Sequence, residues 1–192
     1  MRGANRYRVK ELLDYVRASH PINNVPGKVR ILKDGSSIIL DEDDYNALSE
    51  FKISAPYKRQ GGKRYAVIHL WNEAQGRYRL HRLQRLLMNC PRGKDVDHIN
   101  RDTLDYRRLN LRVCTSQQNA MNKGKYRNNR SGLKGVYWYE SRCEWRSYIK
   151  VPGRTIALGR FDDPLSAARA YDAAALKLHG EFACINGIEA KV

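Results

Sequence analysis

The sequence predicts an α+β protein made of two consecutive units joined by a basic linker. Three observations carry that reading. "VDHINRDTLDYRRLNLRVCTSQQNAMN", Val96 to Asn122, reads as strand, polar loop, strand and helix in succession. From Gly132, "KGVYWYE", "EWRSYIKV" and "TIALGRF" alternate apolar and polar residues, then give way to an alanine-rich helical periodicity. Between the two, "MNKGKYRNNRSG" sets Lys123, Lys125, Arg127 and Arg130 among Asn and Gly with little apolar material, as a linker would.

Composition narrows the function classes. The chain has 192 residues and 36 Lys plus Arg against 20 Asp plus Glu, a formal charge of +16. Such an excess suits a polyanion, because each neutralised phosphate releases counterions. No run approaches the roughly 20 apolar residues a membrane span needs, and the mean hydropathy is −0.70. "MRGANRYRVK" has charge but no apolar segment behind it, so a cytoplasmic, non-secreted protein is expected. Cys90, Cys114, Cys143 and Cys184 form no closely spaced pair, so no structural zinc is expected.

The elements follow in order. "YRVKELLDYVRAS" places Val9, Leu12, Leu13 and Val16 at helical spacing, and "HPINNVPG" breaks the helix. Residues 1–28 read as an N-terminal extension. "VRILKDGSSIIL" is a hairpin turning at Asp34-Gly35. "DEDDYNALSEF" is a short helix whose acids cap its start on a solvated face. "RYAVIHLW" and "RYRLHRL" make a second strand pair around "NEAQG", leading into a helix with Leu83, Leu86 and Leu87 on one side. His69 and His81 in these elements are read as structural.

In the strand–loop–strand–helix stretch, Thr115 and Gln118 form a capping-box pattern opening the helix that carries Asn119. Phosphodiester cleavage needs a nucleophile, charge relief on the phosphate and a stabilised leaving oxygen. A histidine can deprotonate water near neutral pH. One carboxylate and one amide oxygen are hard ligands for Mg²⁺, Mn²⁺ or Ca²⁺. Adjacent residues of a regular strand face opposite sides, so using Asp97 and His98 together requires a bend or bulge. Arg107, Arg108 and Arg112 lie beside this stretch and are expected to grip phosphates.

These residues resemble the ββα-metal core of HNH endonucleases, closest to the phage and intron-encoded group whose last motif position is Asn. The motif letters fall on His98, Asn110 and Asn119. The upstream "RLHRLQRLLM" and "NLRVCT" extend the match, and residues 29–125 are assigned to this domain. The resemblance implies His98 as general base, Asp97 and Asn119 as ligands of one divalent metal (Mg²⁺ first, Mn²⁺ second), and Asn110 as the residue tying the loop so that His98 is aimed. It also implies 5′-phosphate and 3′-hydroxyl products. The third letter is Asn119 rather than His.

In the second unit, Val136 and Trp138 share a face, as do Trp145, Ser147, Ile149 and Val151, with Ile156 and Leu158. A helix follows, capped by Asp162 or Asp163 and ended by Gly180, with Ala167, Ala168, Tyr171, Ala174, Ala175 and Leu178 along one side. A three-stranded antiparallel sheet packed on one helix is expected, its other face open. "KGVYWY", "IALGRFDD" and "AARAYDAAALKLHGEFACIN" resemble the plant apetala/ethylene-response-factor (ERF) DNA-binding domain over residues 131–187. Aligned on "GV" and "LG-F", that family's contact positions fall on Tyr137, Tyr139, Tyr148, Lys150 and Arg160. Arg146 joins them by alternation. Most of the family's contacting Arg and Trp residues are replaced here, so the docking mode is implied and the target sequence is not.

The expected protein is therefore a metal-dependent, site-selective endonuclease of the homing type, acting on double-stranded DNA as a monomer. The alternative is a non-catalytic DNA-binding regulator on the same scaffold.

Overall fold

The computed structural model describes residues 2–18, 26–56 and 63–188, the first seven of these as backbone only. His20 to Val25, within the predicted helix-breaking stretch, lie outside the described residues. The chain packs as two compact units, Met1–Thr115 and Ser116–Val192. No helix among the described residues is long and apolar enough to cross a membrane.

The first unit opens with helix α1 (Arg2–Arg17), followed by the hairpin β1 (Lys28–Ile31) and β2 (Ser37–Leu40). Gly35 at the turn has φ +79°, and its N–H donates to the Leu32 carbonyl at 3.0 Å. Helix α2 (Glu42–Ala47) comes next, then β3 (Ile53–Ser54), β4 (Val67–Asn72), β5 (Arg77–Arg82) and helix α3 (Leu83–Leu87). Strands β3, β4 and β5 form one antiparallel sheet. At two residues, β3 is too short to leave a period-2 signal, and the sequence reading did not include it.

Leu12 and Val16 of α1 are buried in one apolar cluster with Ile38, Leu40, Ile68, Leu83, Leu87 and Tyr106. The extension is therefore part of this unit's core. Asp44 corrects a second expectation. It lies in the acidic first turn of α2, read as solvated, yet it is 0% exposed. Its partners include Arg108, 64 residues away in sequence, and the Tyr15 hydroxyl, 29 residues away.

Strands β6 (Asp95–His98) and β7 (Leu111–Cys114) form a separate antiparallel ladder that closes the unit. The second unit begins with helix α4 (Ser116–Met121) and continues to a three-stranded sheet of β8 (Val136–Tyr139), β9 (Glu144–Val151) and β10 (Arg154–Phe161), in the order β10-β9-β8. Helix α5 (Pro164–His179) covers one face. Val136 packs with Ala167 and Ala168, and Ile149 with Tyr171 and Ala175. Alanines on the helix let its backbone approach the strands. Gly135, at φ +76°, completes the fit, since a Cβ there would run into the Tyr171 ring and come within 2.8 Å of the Tyr148 carbonyl. Asp163 caps α5, accepting from the backbone N–H of Leu165 (2.9 Å) and Ser166 (2.8 Å).

Candidate active site

The β6–β7 ladder sets the positions of the predicted acid and base. Asp97 pairs with Arg112 and His98 with Leu111, in unbroken register from Asp95. The bulge expected between Asp97 and His98 is not present. The chain turns immediately afterwards instead, where Arg101 adopts φ +67° and its N–H donates to the His98 carbonyl at 2.9 Å. Asp97 and His98 accordingly leave the ladder on opposite sides, and both are buried, at 6% and 4% exposure.

The imidazole of His98 lies between two tyrosines. It meets the Tyr106 ring edge-on at 5.3 Å and the Tyr65 ring at 6.0 Å. Tyr106 is held in turn by the Ala66 N–H, which donates to its hydroxyl at 2.6 Å. Burial pushes the His98 pKa down to about 4, with the Asp97 charge opposing, so the ring is neutral at pH 7. A folded-state pKa below the unfolded value has a fixed sign. The unfolded chain takes up the proton first, so stability is complete above pH 6.5 and is lost as pH falls from there towards 4. Thermal melting of the metal-free protein should show a loss on the order of 3 kcal/mol across that window. The loss should shrink in His98→Gln, and an equally steep profile in the variant would place the acid sensitivity elsewhere.

Asn110 closes the loop between the two strands. Its Nδ2 donates to the Asp105 carbonyl (2.9 Å), and its Oδ1 accepts from the Asn100 N–H (2.9 Å). Its backbone carbonyl accepts from the Ile99 N–H at 2.8 Å. Asp105 adds a second tie, accepting from the Asn100 side chain at 2.9 Å. The loop is thus fixed at both ends by amide hydrogen bonds, directly beside His98.

The three arginines expected on phosphates all grip carboxylates. Arg108 donates to both oxygens of Asp44 (2.9 and 2.8 Å) and to the Leu87 carbonyl (3.0 Å), and its side chain is 13% exposed. It is largely buried and committed to Asp44. A bidentate guanidinium on a buried carboxylate has few donors left for phosphate. Arg112 places Nε and Nη2 on Asp97 Oδ2, at 3.0 and 2.8 Å. It therefore orients the acid. Arg107 pairs with both oxygens of Asp105 but keeps more of its side chain exposed.

Asn119 lies half-buried on α4, the first element of the second unit. Lys123, Lys125, Arg127 and Arg130 follow, all exposed, and Lys125 Nζ donates to the Gly132 carbonyl at 2.8 Å. On the sheet face away from α5, Tyr137 pairs with Arg146, Arg146 with Arg160, Tyr148 with Ala157 and Lys150 with Thr155. Tyr137 and Tyr148 meet edge-on at 5.5 Å. This face carries all six of the sheet residues assigned from sequence.

Two groups of residues were missed. Every residue of β5 is exposed, which sets Arg77, Arg79 and Arg82 on a hairpin edge. Gln75 at its tip accepts from Arg79 Nε at 2.6 Å. The signal was present, since "RYRLHR" is too basic for a core strand. Glu144 stands on the tyrosine-rich face among the cations, in register with Tyr139.

A buried acid and a buried histidine beside a hydrogen-bonded loop, in a chain of charge +16, suit a nuclease. The family model described as HNH endonuclease matches residues 78–121, which include all but the first residue of β5, together with α3, both strands of the ladder and α4. The chain is 32% identical over 93 residues to "Protein 3.8" of Escherichia phage T7, covering 48% of this chain and 76% of that protein. It is 30% identical over 147 residues to an uncharacterized HNH endonuclease of Acanthamoeba polyphaga mimivirus, covering 74% of each. Over 60 residues it is 43% identical to APETALA2-like protein 2 of Oryza sativa subsp. indica, covering 31% of this chain and 14% of that protein. No solved structure matches the chain. The chain belongs to the HNH endonucleases and is a DNA endonuclease. Enzymes of this family generally use a divalent metal ion.

Proposed function

We propose that this enzyme is a divalent-metal-dependent, site-selective endonuclease of the homing type, cutting double-stranded DNA. Residues 29–125 are its HNH endonuclease domain, and residues 131–187 are an ERF-type domain that positions it. The observation that carries this reading is the buried Asp97–His98 pair beside the loop clamped by Asn110.

His98 accepts the proton of the attacking water. Its depressed pKa keeps the ring unprotonated at working pH, and the charge of an approaching phosphodiester raises its basicity towards the useful range. Asn110 acts as a positioning residue, holding the loop that follows the base. The donor chemistry suits a hard cation: Asp97 would supply a carboxylate and Asn119 an amide oxygen. A bound Mg²⁺ or Mn²⁺ at these two residues would supply charge relief to the phosphate and the departing 3′-oxygen. Water attack at phosphorus leaves 5′-phosphate and 3′-hydroxyl ends. Lys123, Lys125, Arg127 and Arg130 follow the DNA backbone. Tyr137, Tyr139, Arg146, Tyr148, Lys150 and Arg160 face the groove, and the 43% identity to a plant APETALA2-like protein supports that use of the sheet.

Supercoiled plasmid should be cut with Mg²⁺ or Mn²⁺, to open circles if one strand is cut and to linear DNA if both are, with cutting stopped by excess EDTA and restored by added metal. Cutting that continues in EDTA would sink the metal requirement. Tight binding without cutting under either metal would move the reading to a non-catalytic regulator.

A further inference from the structure

A sheet face that meets phosphates has little use for a carboxylate, yet Glu144 sits on it with an 18% exposed side chain. Its Oε1 accepts from Arg146 Nε at 2.8 Å, lies 2.7 Å from Arg146 Nη2 and stands 3.7 Å from Arg160 Nε. The guanidinium carbon of Arg146 lies 3.5 Å from the centroid of the Tyr139 ring. Arg146 is therefore held twice, stacked on an aromatic face and forked onto a carboxylate. Its side chain is 24% exposed, so it stays within reach of a ligand.

That arrangement changes what Arg146 can do. An arginine whose charge is matched by a neighbouring carboxylate is a poor phosphate contact, because the pair has no net charge to exchange for counterions. A fixed, stacked guanidinium with donors remaining is well suited to a base edge, where geometry decides and charge does not. Glu144 also repels phosphates that approach Arg160.

We propose that Glu144 is a specificity-determining positioning residue. It fixes Arg146 for reading a base edge and withdraws it from non-specific phosphate binding. This rests on the reading that the open face of the sheet meets DNA, and it names which part of that face discriminates sequence.

The test uses the full chain in EDTA, so that DNA is bound and not cut. A preferred duplex is first selected from a random pool by the wild-type protein. Affinities for that duplex and for a scrambled one are then measured between 50 and 200 mM KCl. In Glu144→Gln, which keeps the shape and removes the charge, the preference should fall about 5- to 100-fold. Binding to the scrambled duplex should tighten, with its salt slope steeper by about one phosphate contact. Arg146→Gln should lose the same preference without the steeper slope. A Glu144→Gln protein with its preference intact overturns the role of Glu144. If preference and affinity also survive Lys150→Ala and Tyr148→Ala, the sheet does not meet DNA, and the proposal falls with that reading. Preference kept by Glu144→Gln but lost by Lys150→Ala removes Glu144 alone.

Discussion

Replacing His98 with Ala should lower the single-turnover rate of DNA cleavage about 10²- to 10⁴-fold, the usual worth of a positioned general base. DNA binding should remain within a few-fold of wild type, because the ring is buried and packs against Tyr65 and Tyr106. Removing a ring from between two tyrosines leaves a void, so melting of the variant must be measured alongside its rate. His98→Gln, which fills more of that space, serves as the second variant. A folded His98→Gln protein that cuts at close to the wild-type rate would remove His98 from the chemistry. Loss of cutting together with loss of binding would make the residue structural.

Severing the Arg108–Asp44 pair should have the largest effect on stability. Arg108→Ala leaves a carboxylate that is 0% exposed without its counter-charge and with the Tyr15 hydroxyl donating to it at 3.0 Å, and breaking a buried pair from one side costs about 3–5 kcal/mol. For a unit of this size that corresponds to a melting temperature lower by roughly 10–20 °C. The double replacement Asp44→Leu with Arg108→Met should recover most of the loss, since two apolar groups leave no stranded charge. The opposite result is equally readable. If Arg108→Ala melts normally but binds DNA more weakly, with a salt slope shallower by about one, Arg108 contacts phosphate after all.

Local signals in the sequence were enough to locate most strands and helices. The Asp34-Gly35 turn, the alternation in "EWRSYIKV" and the Asp163 cap each state their geometry within a few residues. Asp97, His98 and Asn110 were found by motif, and the ladder places the first two side by side in sequence but on opposite sides of the strand. What stayed hidden was pairing over distance. In the run "DEDD" nothing marks Asp44 as the buried member, because its ion-pair partner Arg108 lies 64 residues on. Arg112 could be linked to Asp97 only once the register of β6 on β7 was known. The hairpin arginines of β5 were legible but were read as ordinary strand residues, and Glu144 was passed over although it alternates with Arg146 and Tyr148 along one strand.

The apolar clusters also bear on how such genes recombine. Every buried member of the first unit's cluster lies at or before Leu111, while the two clusters of the second unit draw only on Leu133 and later residues. A genetic crossover between those points would exchange one core whole and leave the other intact, so many junctions there yield a folded chimera. They would not be equal in inheritance. A junction before Ser116 hands over α4, and with it Asn119, along with the incoming three-stranded sheet, whereas one after Asn122 keeps Asn119 with the parental histidine. Lineages formed at the first kind of junction would take Asn119 from a new parent and Asp97 from the old one. Those formed at the second would keep Asp97, His98, Asn110 and Asn119 together.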